Sequence, residues 1–370
     1  MSFSLSNYIL LVLILLVLLF LYTRMEQKRI REEEDENYGL LQRYLLNDSS
    51  SLEKVKKPIL WIHIPFEYNA RHWISFGSRS SFDLNQPYLF MTVQSIVREC
   101  GDSFHICLID DQSFSKLIPE WEVDLSLISS PVSEKIRALA WSKILYIYGG
   151  MLVPISFLCF RDLKPMYESY PHGFIVENKD RNVSATYLSF TPNIHFIGCP
   201  RKSPVILEFC RFIENNVSTD FTAESGFMGV FSGWWTKQIK DGRFGLVDGQ
   251  EVGVKTAEGE PILVEQWLGQ DFVDLNPHTF GIWIPAHDIL NRTTYEWFAR
   301  MSPEQVLSSD LLLSRYFVLA NKGMRGTLEP LTQRPDWVGF WKVASDTPVW
   351  GMRPLNQGDT SVMKLPYPVE

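Results

Sequence analysis

Within Glu134–Asp162, apolar residues at Ile136, Leu139, Ala140, Ile144 and Ile147 recur at helical spacing, and the apolar run Met151–Val153 follows them. The first pattern predicts a helix with one face against a core, and the second a short buried strand. Gly149 and Gly150 stand between them, where a helix C-terminus needs a residue that accepts left-handed geometry. A helix that turns on two glycines straight into a strand predicts an α/β architecture.

Other stretches extend this pattern in both directions. Ile59–Ile64 is almost wholly apolar and is bounded by Pro58 and Pro65, as a central strand should be. Pro87–Cys100 reads as a helix, and His105–Asp110 as a second strand that ends in the acidic pair Asp110-Asp111. Gly173–Val176 and Ile194–Gly198 read as further strands, and Val205–Ile213 as an amphipathic helix. Phe227–Ile239 predicts a helix whose Trp234 and Trp235 belong to the core. Phe280–Pro285 is one more apolar segment, and Ser302-Pro303 has the residues of a helix start. Pro330–Glu370 is rich in proline and is expected to wrap the domain as loops. Phe66–Leu89 has little periodicity; its Arg71, His72 and Arg79 could meet an anionic group or cap local carbonyls.

The N-terminus carries a different signal. Tyr8–Tyr22 has no charge and no glycine, and extended back through Phe3 and Leu5 it reaches about the 20 residues that a membrane-crossing helix needs. It lacks the basic start and small-residue cleavage site of a signal peptide, so an uncleaved single anchor is expected. Arg24, Lys28, Arg29 and Arg31 follow the run and no basic residue precedes it, which puts the bulk of the chain on the cytoplasmic side. Sequons at Asn47, Asn182, Asn216 and Asn291 point instead to a Golgi or endoplasmic-reticulum lumen. The expected organisation is therefore an anchor (1–23), a charged stalk (24–57), a core (58–241) and a C-terminal extension packed on it (242–370).

With 370 residues and 45% hydrophobic content, the chain can bury a substantial core. A net charge of −8 without a basic stripe excludes nucleic acid as a natural partner. The five cysteines show no CxxC spacing and sit among apolar residues, so they read as buried free thiols rather than a disulfide framework or zinc site. His63, on an apolar strand, reads first as a hydrogen-bonded core histidine, with a catalytic or substrate-binding role as the alternative. Asp110 and Asp111 lie where open α/β sheets gather ligands, beyond the carboxyl end of a strand. They could contact a metal or a ribose; alternatively Asp111 caps the following short helix.

Ile144, Leu145, Tyr146, Tyr148, Gly149 and Gly150 match the scaffold of a known pattern, roughly S-D-L-L-R-Y-x-I-L-Y-x-Y-G-G-I-Y-L-D-x-D. On these residues the chain resembles glycosyltransferases of the capsular-polysaccharide and Och1-like mannosyltransferase families. The resemblance covers roughly Ile59–Ile213. It implies a GT-A-like, Rossmann-like sheet with flanking helices, a nucleotide-sugar donor and a sugar acceptor. It also implies two carboxylates holding Mn²⁺ or Mg²⁺, and here Pro154 and Ser156 take their places. Ala138 and Trp141 stand where the family has Asp and Arg. Proline offers a hard cation no side-chain ligand, so no metal is expected at the usual position. Pro154 and Ser156 remain the residues facing the implied donor. Phe66–Trp121 is also similar in texture to proteins of large DNA viruses, which implies a structural partner and a membrane-linked virion role.

Overall fold

The computed structural model describes Tyr22, Met25 and residues 57–64, 86, 88–128, 132–180, 188–219, 229–292, 294–320, 337–338 and 341–342. The chain divides into two units, Met1–Leu45 and Leu46–Glu370. In the first, Tyr22 and Met25 are helical and exposed. The Tyr8–Tyr22 anchor apart from Tyr22, the charged stalk apart from Met25 and Lys57, Arg71, His72, Arg79, Asn47 and Asn182 lie outside the described residues. Among the described residues no helix is long and apolar enough to cross a membrane.

The second unit is a mixed α/β fold. Its elements begin with β1 (Ile59–His63), α1 (Leu89–Cys100), β2 (His105–Ile109) and the short helix α2 (Phe114–Leu117). They continue through α3 (Val132–Tyr148), β3 (Gly150–Val153), β4 (Phe157–Cys159), α4 (Lys164–Ser169), β5 (Phe174–Asp180) and β6 (Ser189–Cys199). After α5 (Pro204–Thr219) and α6 (Val230–Lys240) come β7 (Gly245–Val247), α7 (Val264–Trp267) and β8 (Gly281–Trp283). The series closes with α8 (Ala286–Asn291), α9 (Glu296–Ala299), α10 (Pro303–Ser308), α11 (Leu312–Ala320) and a two-stranded ladder of β9 (Trp337–Val338) and β10 (Trp341–Lys342).

Six strands form one sheet in the order β2-β1-β3-β6-β5-β7. β1 pairs in parallel with β2 and β3, and β5 in parallel with β7, while β6 runs against both its neighbours. β7 lies beyond residue 241, so the sheet draws its last strand from the C-terminal part. Sequence order reverses between β1 and β3, which makes the carboxyl ends of these two strands a topological switch point.

The Gly-Gly junction explains why β3 starts where it does. Gly149 has φ +68° and Gly150 φ +98°, and a Cβ on Gly150 would lie 2.1 Å from the Ile59 carbonyl oxygen. Only glycine lets β3 come in beside β1 at that angle. The freed carbonyls at the end of α3 are covered by Lys202 N–H on Tyr146 O (2.8 Å) and Arg201 Nε on Ile147 O (3.2 Å).

α3, α5 and α6 pack on one sheet face with Ile59, Trp61, Leu152 and Ile197. The residues of α3 that are buried include Ala138, Ala140, Trp141, Ile144 and Leu145, whereas Ile136, Leu139 and Ile147 are only partly buried. α3 packs against both the sheet and the neighbouring α5, so its buried surface is wider than the single stripe expected. A second core gathers Leu89 and Met91 of α1, Leu158, Ile282 and the helices from α7 to α11. Ser302 caps α10 with its hydroxyl on Gln305 N–H, as the Ser-Pro start predicts.

Candidate functional site

β1 alternates its side chains, so His63 follows Ile59 and Trp61 onto the face covered by α3. It ends the strand only 9% exposed. Its Nε2–H donates to Asp111 Oδ1 at 2.9 Å, its ring stacks on Phe114 (5.6 Å, 13°), and Trp141 meets it edge-on at 5.2 Å. Arg137, one helical turn before Trp141 on α3, clamps the same carboxylate. Its Nε donates to both oxygens at 3.1 Å and its Nη2 to Oδ2 at 2.8 Å. Burial pushes the Asp111 carboxyl up, but the hydrogen bonds and charges of His63 and Arg137 outweigh it and hold the pKa at about 2.

Asp110 has a separate task. It caps the 3₁₀ turn Asp111–Ser113, accepting from Ser113 N at 2.8 Å and Ser113 Oγ at 2.5 Å. The cap expected of Asp111 is thus supplied by its neighbour. Asp110 has the extended backbone of a cap residue, which leaves Asp111 pointing back towards β1 and α3.

At the end of β3 the chain turns at once into β4. Phe157 N–H closes the turn on Pro154 O (3.0 Å), and Ile284 N–H donates to Ser156 O (3.1 Å). Thr92 of α1 donates its hydroxyl to Ile155 O at 2.5 Å. Ser156 is 6% exposed. Pro154 and Ser156 therefore occupy a turn whose carbonyls are already used by α1, β4 and the segment after β8.

β6 contributes His195, not expected from the sequence as a site residue. Its ring meets Trp141 edge-on at 4.9 Å, so Trp141 touches both histidine rings. The β3–β6 register, carried on for two residues, sets Pro154 level with His195. The ring is solvent-accessible but crowded by protein, and this desolvation, with the charges of His63, His287 and Arg137, lowers its pKa to about 4. It is neutral at physiological pH.

Of the expected residues, then, His63 and Asp111 are brought together, while Asp110, Pro154 and Ser156 each serve local backbone geometry. Arg137 and His195 were missed. The one available signal for Arg137 was a cation among the apolar positions of α3, at the helix end nearest the strand ends.

These residues do not fit the divalent ion that the resemblance implies. Pro154 brings no ligand, and Asp111 could serve only by leaving Arg137. Among the described residues no group of three or more His, Cys, Asp or Glu side chains is arranged to hold a metal. Neither a protein-family model nor a curated protein sequence matches the chain.

Proposed function

We propose that the chain is a membrane-anchored, glycosyltransferase-like protein of GT-A type, whose donor crevice works without a divalent ion at the end of β3. The observation that carries this reading is the β3 end itself: Pro154 and Ser156 sit in a backbone-locked turn directly after the Gly-Gly junction of a switch-point sheet. A nucleotide-sugar would meet the exposed His195 at the strand ends, with the buried Trp141 packed behind it. His63, Asp111 and Arg137 would hold α3 in place against the strand ends. A charge-assisted hydrogen bond is worth about 1.5–3 kcal/mol, and several matched positions here cannot make one. Donor affinity should therefore fall by several powers of ten below that of a metal-bearing relative.

A second reading is a catalytically inactive relative with a structural, membrane-linked role. It is favoured by the pairing of Asp111 with Arg137 and His63, which leaves the crevice without a net negative charge to attract a cation. Calorimetry with uridine- and guanosine-diphosphate sugars, with and without Mn²⁺, separates the readings. Metal-independent binding supports the first, and no binding of any donor supports the second. Binding that needs Mn²⁺ and is lost in Asp110→Ala/Asp111→Ala overturns the metal-free crevice.

A further inference from the structure

α1 and β4 both end on cysteines, Cys100 and Cys159. Their sulfurs lie 3.9 Å apart, just beyond van der Waals contact, and both side chains are fully buried. Cys107, Cys199 and Cys210 are also buried and free; Cys199 and Cys210 act on each other electrostatically, but among the described residues only Cys100 and Cys159 bring their sulfurs within hydrogen-bonding reach. The backbone around the pair is tied down. Cys159 N–H donates to Ser95 Oγ of α1 at 2.9 Å, and Cys159 pairs with Gly281 across the β4–β8 ladder. A disulfide needs a sulfur separation near 2.05 Å, so closing the gap takes an approach of roughly 2 Å, within the reach of side-chain rotation with a small backbone shift.

We propose that Cys100 and Cys159 form a disulfide when the chain meets a disulfide oxidant such as oxidised glutathione. One thiolate attacks the glutathione disulfide, forms a mixed disulfide and releases one glutathione thiolate. The second cysteine then displaces the other glutathione. The two protein thiols lose two protons and two electrons, and one oxidised glutathione becomes two reduced ones. Burial and the neighbouring thiol push the Cys159 thiol well above its ordinary range. The folded dithiol therefore reacts slowly, and the bond forms chiefly as the chain folds.

The loop closed in this way runs from Cys100 to Cys159 and contains β2, α3 and β3. Asp111, Arg137, Trp141, Pro154 and Ser156 all lie inside it. The staple would fix one flank of the crevice in an oxidising compartment and leave it as a dithiol in a reducing one.

The test is refolding of the full-length chain in detergent with a mixture of oxidised and reduced glutathione, followed by alkylation and peptide mapping without reductant. The expected product links Cys100 to Cys159 and leaves the other three cysteines alkylated. Its thermal midpoint should rise by roughly 5–10 °C, a gain reversed by dithiothreitol. Cys100→Ala and Cys159→Ala should each lose that rise and match the reduced wild type to within a few degrees. Five alkylated cysteines after this treatment, or a bridge joining Cys107, Cys199 or Cys210, would overturn the proposal. A Cys100–Cys159 bridge that leaves the thermal midpoint unmoved would overturn its role as a staple.

Discussion

The strand ends after β2 and β3 use their polar groups in opposite ways. After β2, a charged side chain is kept and neutralised: the partly buried Asp111 lies between Arg137 and His63, and its ionised form is favoured. After β3, side-chain charge is absent and the backbone makes the hydrogen bonds, through Pro154 O and Ser156 O. A carboxylate survives at the first end because two partners surround it. A carboxylate at the second would enter a turn held by backbone hydrogen bonds, where Ser156 is buried. The placement of charge at a strand end follows from the partners that the fold supplies there as much as from the residue type.

The most severe way to break this contrast is to put charge where the backbone now does the work. Ser156→Asp should destabilise the fold by about 3 kcal/mol or more, because an unpaired carboxylate is buried, and should bring no Mn²⁺ affinity. Urea unfolding and Mn²⁺ calorimetry on the one variant check both parts.

Removing the cation at the other end comes next. Arg137→Ala leaves Asp111 with His63 alone and should cost about 2–3 kcal/mol in urea unfolding. The companion Arg137→Lys should recover only part of that loss, since lysine cannot make the two-oxygen clamp.

These two ends also show how far the sequence could be read. β1, β2, α3 and β3 were legible because each is an apolar run or stripe between glycine and proline signals, and such patterns follow from local geometry. The pairing of Asp111 with His63, 48 residues away, and with Arg137, 26 away, has no local signature. The β4–β8 ladder was hidden for the same reason: Phe157–Cys159 finds its partner strand only at Gly281–Trp283. β6 proved longer than its apolar core because its polar first half, Ser189–Asn193, pairs with β5 beyond the point where burial ends. Asn216, one of the four sequon asparagines, lies within α5 and accepts a 2.7 Å hydrogen bond from the buried Lys135, a structural role that spacing could not disclose.

Acid offers a milder test. The Asp111 pKa in the folded chain, about 2, lies below its ordinary 3.8. Its contribution is therefore complete above pH 3.8 and is lost as pH falls through 2. That loss should amount to about 2 kcal/mol and be absent in Asp111→Asn when the two proteins are unfolded in urea across this pH range. The smallest effect belongs to the cap: Asp110→Ala should cost about 1 kcal/mol and leave the acid response of Asp111 in place.

The position of β1 in the sheet has a consequence for synthesis. Ile59–His63 is an inner strand whose partners arrive late: β2 begins at His105 and β3 at Gly150. At 5–20 residues per second, roughly 90 residues separate β1 from its second partner, an interval of roughly 5–20 s on the ribosome. Through that time Ile59 and Trp61 have neither a complete ladder nor the α3 cover they end with. The nascent chain should therefore present a short, sticky apolar segment to chaperones until the Gly-Gly junction emerges, and a stall placed before Gly149 should prolong that binding.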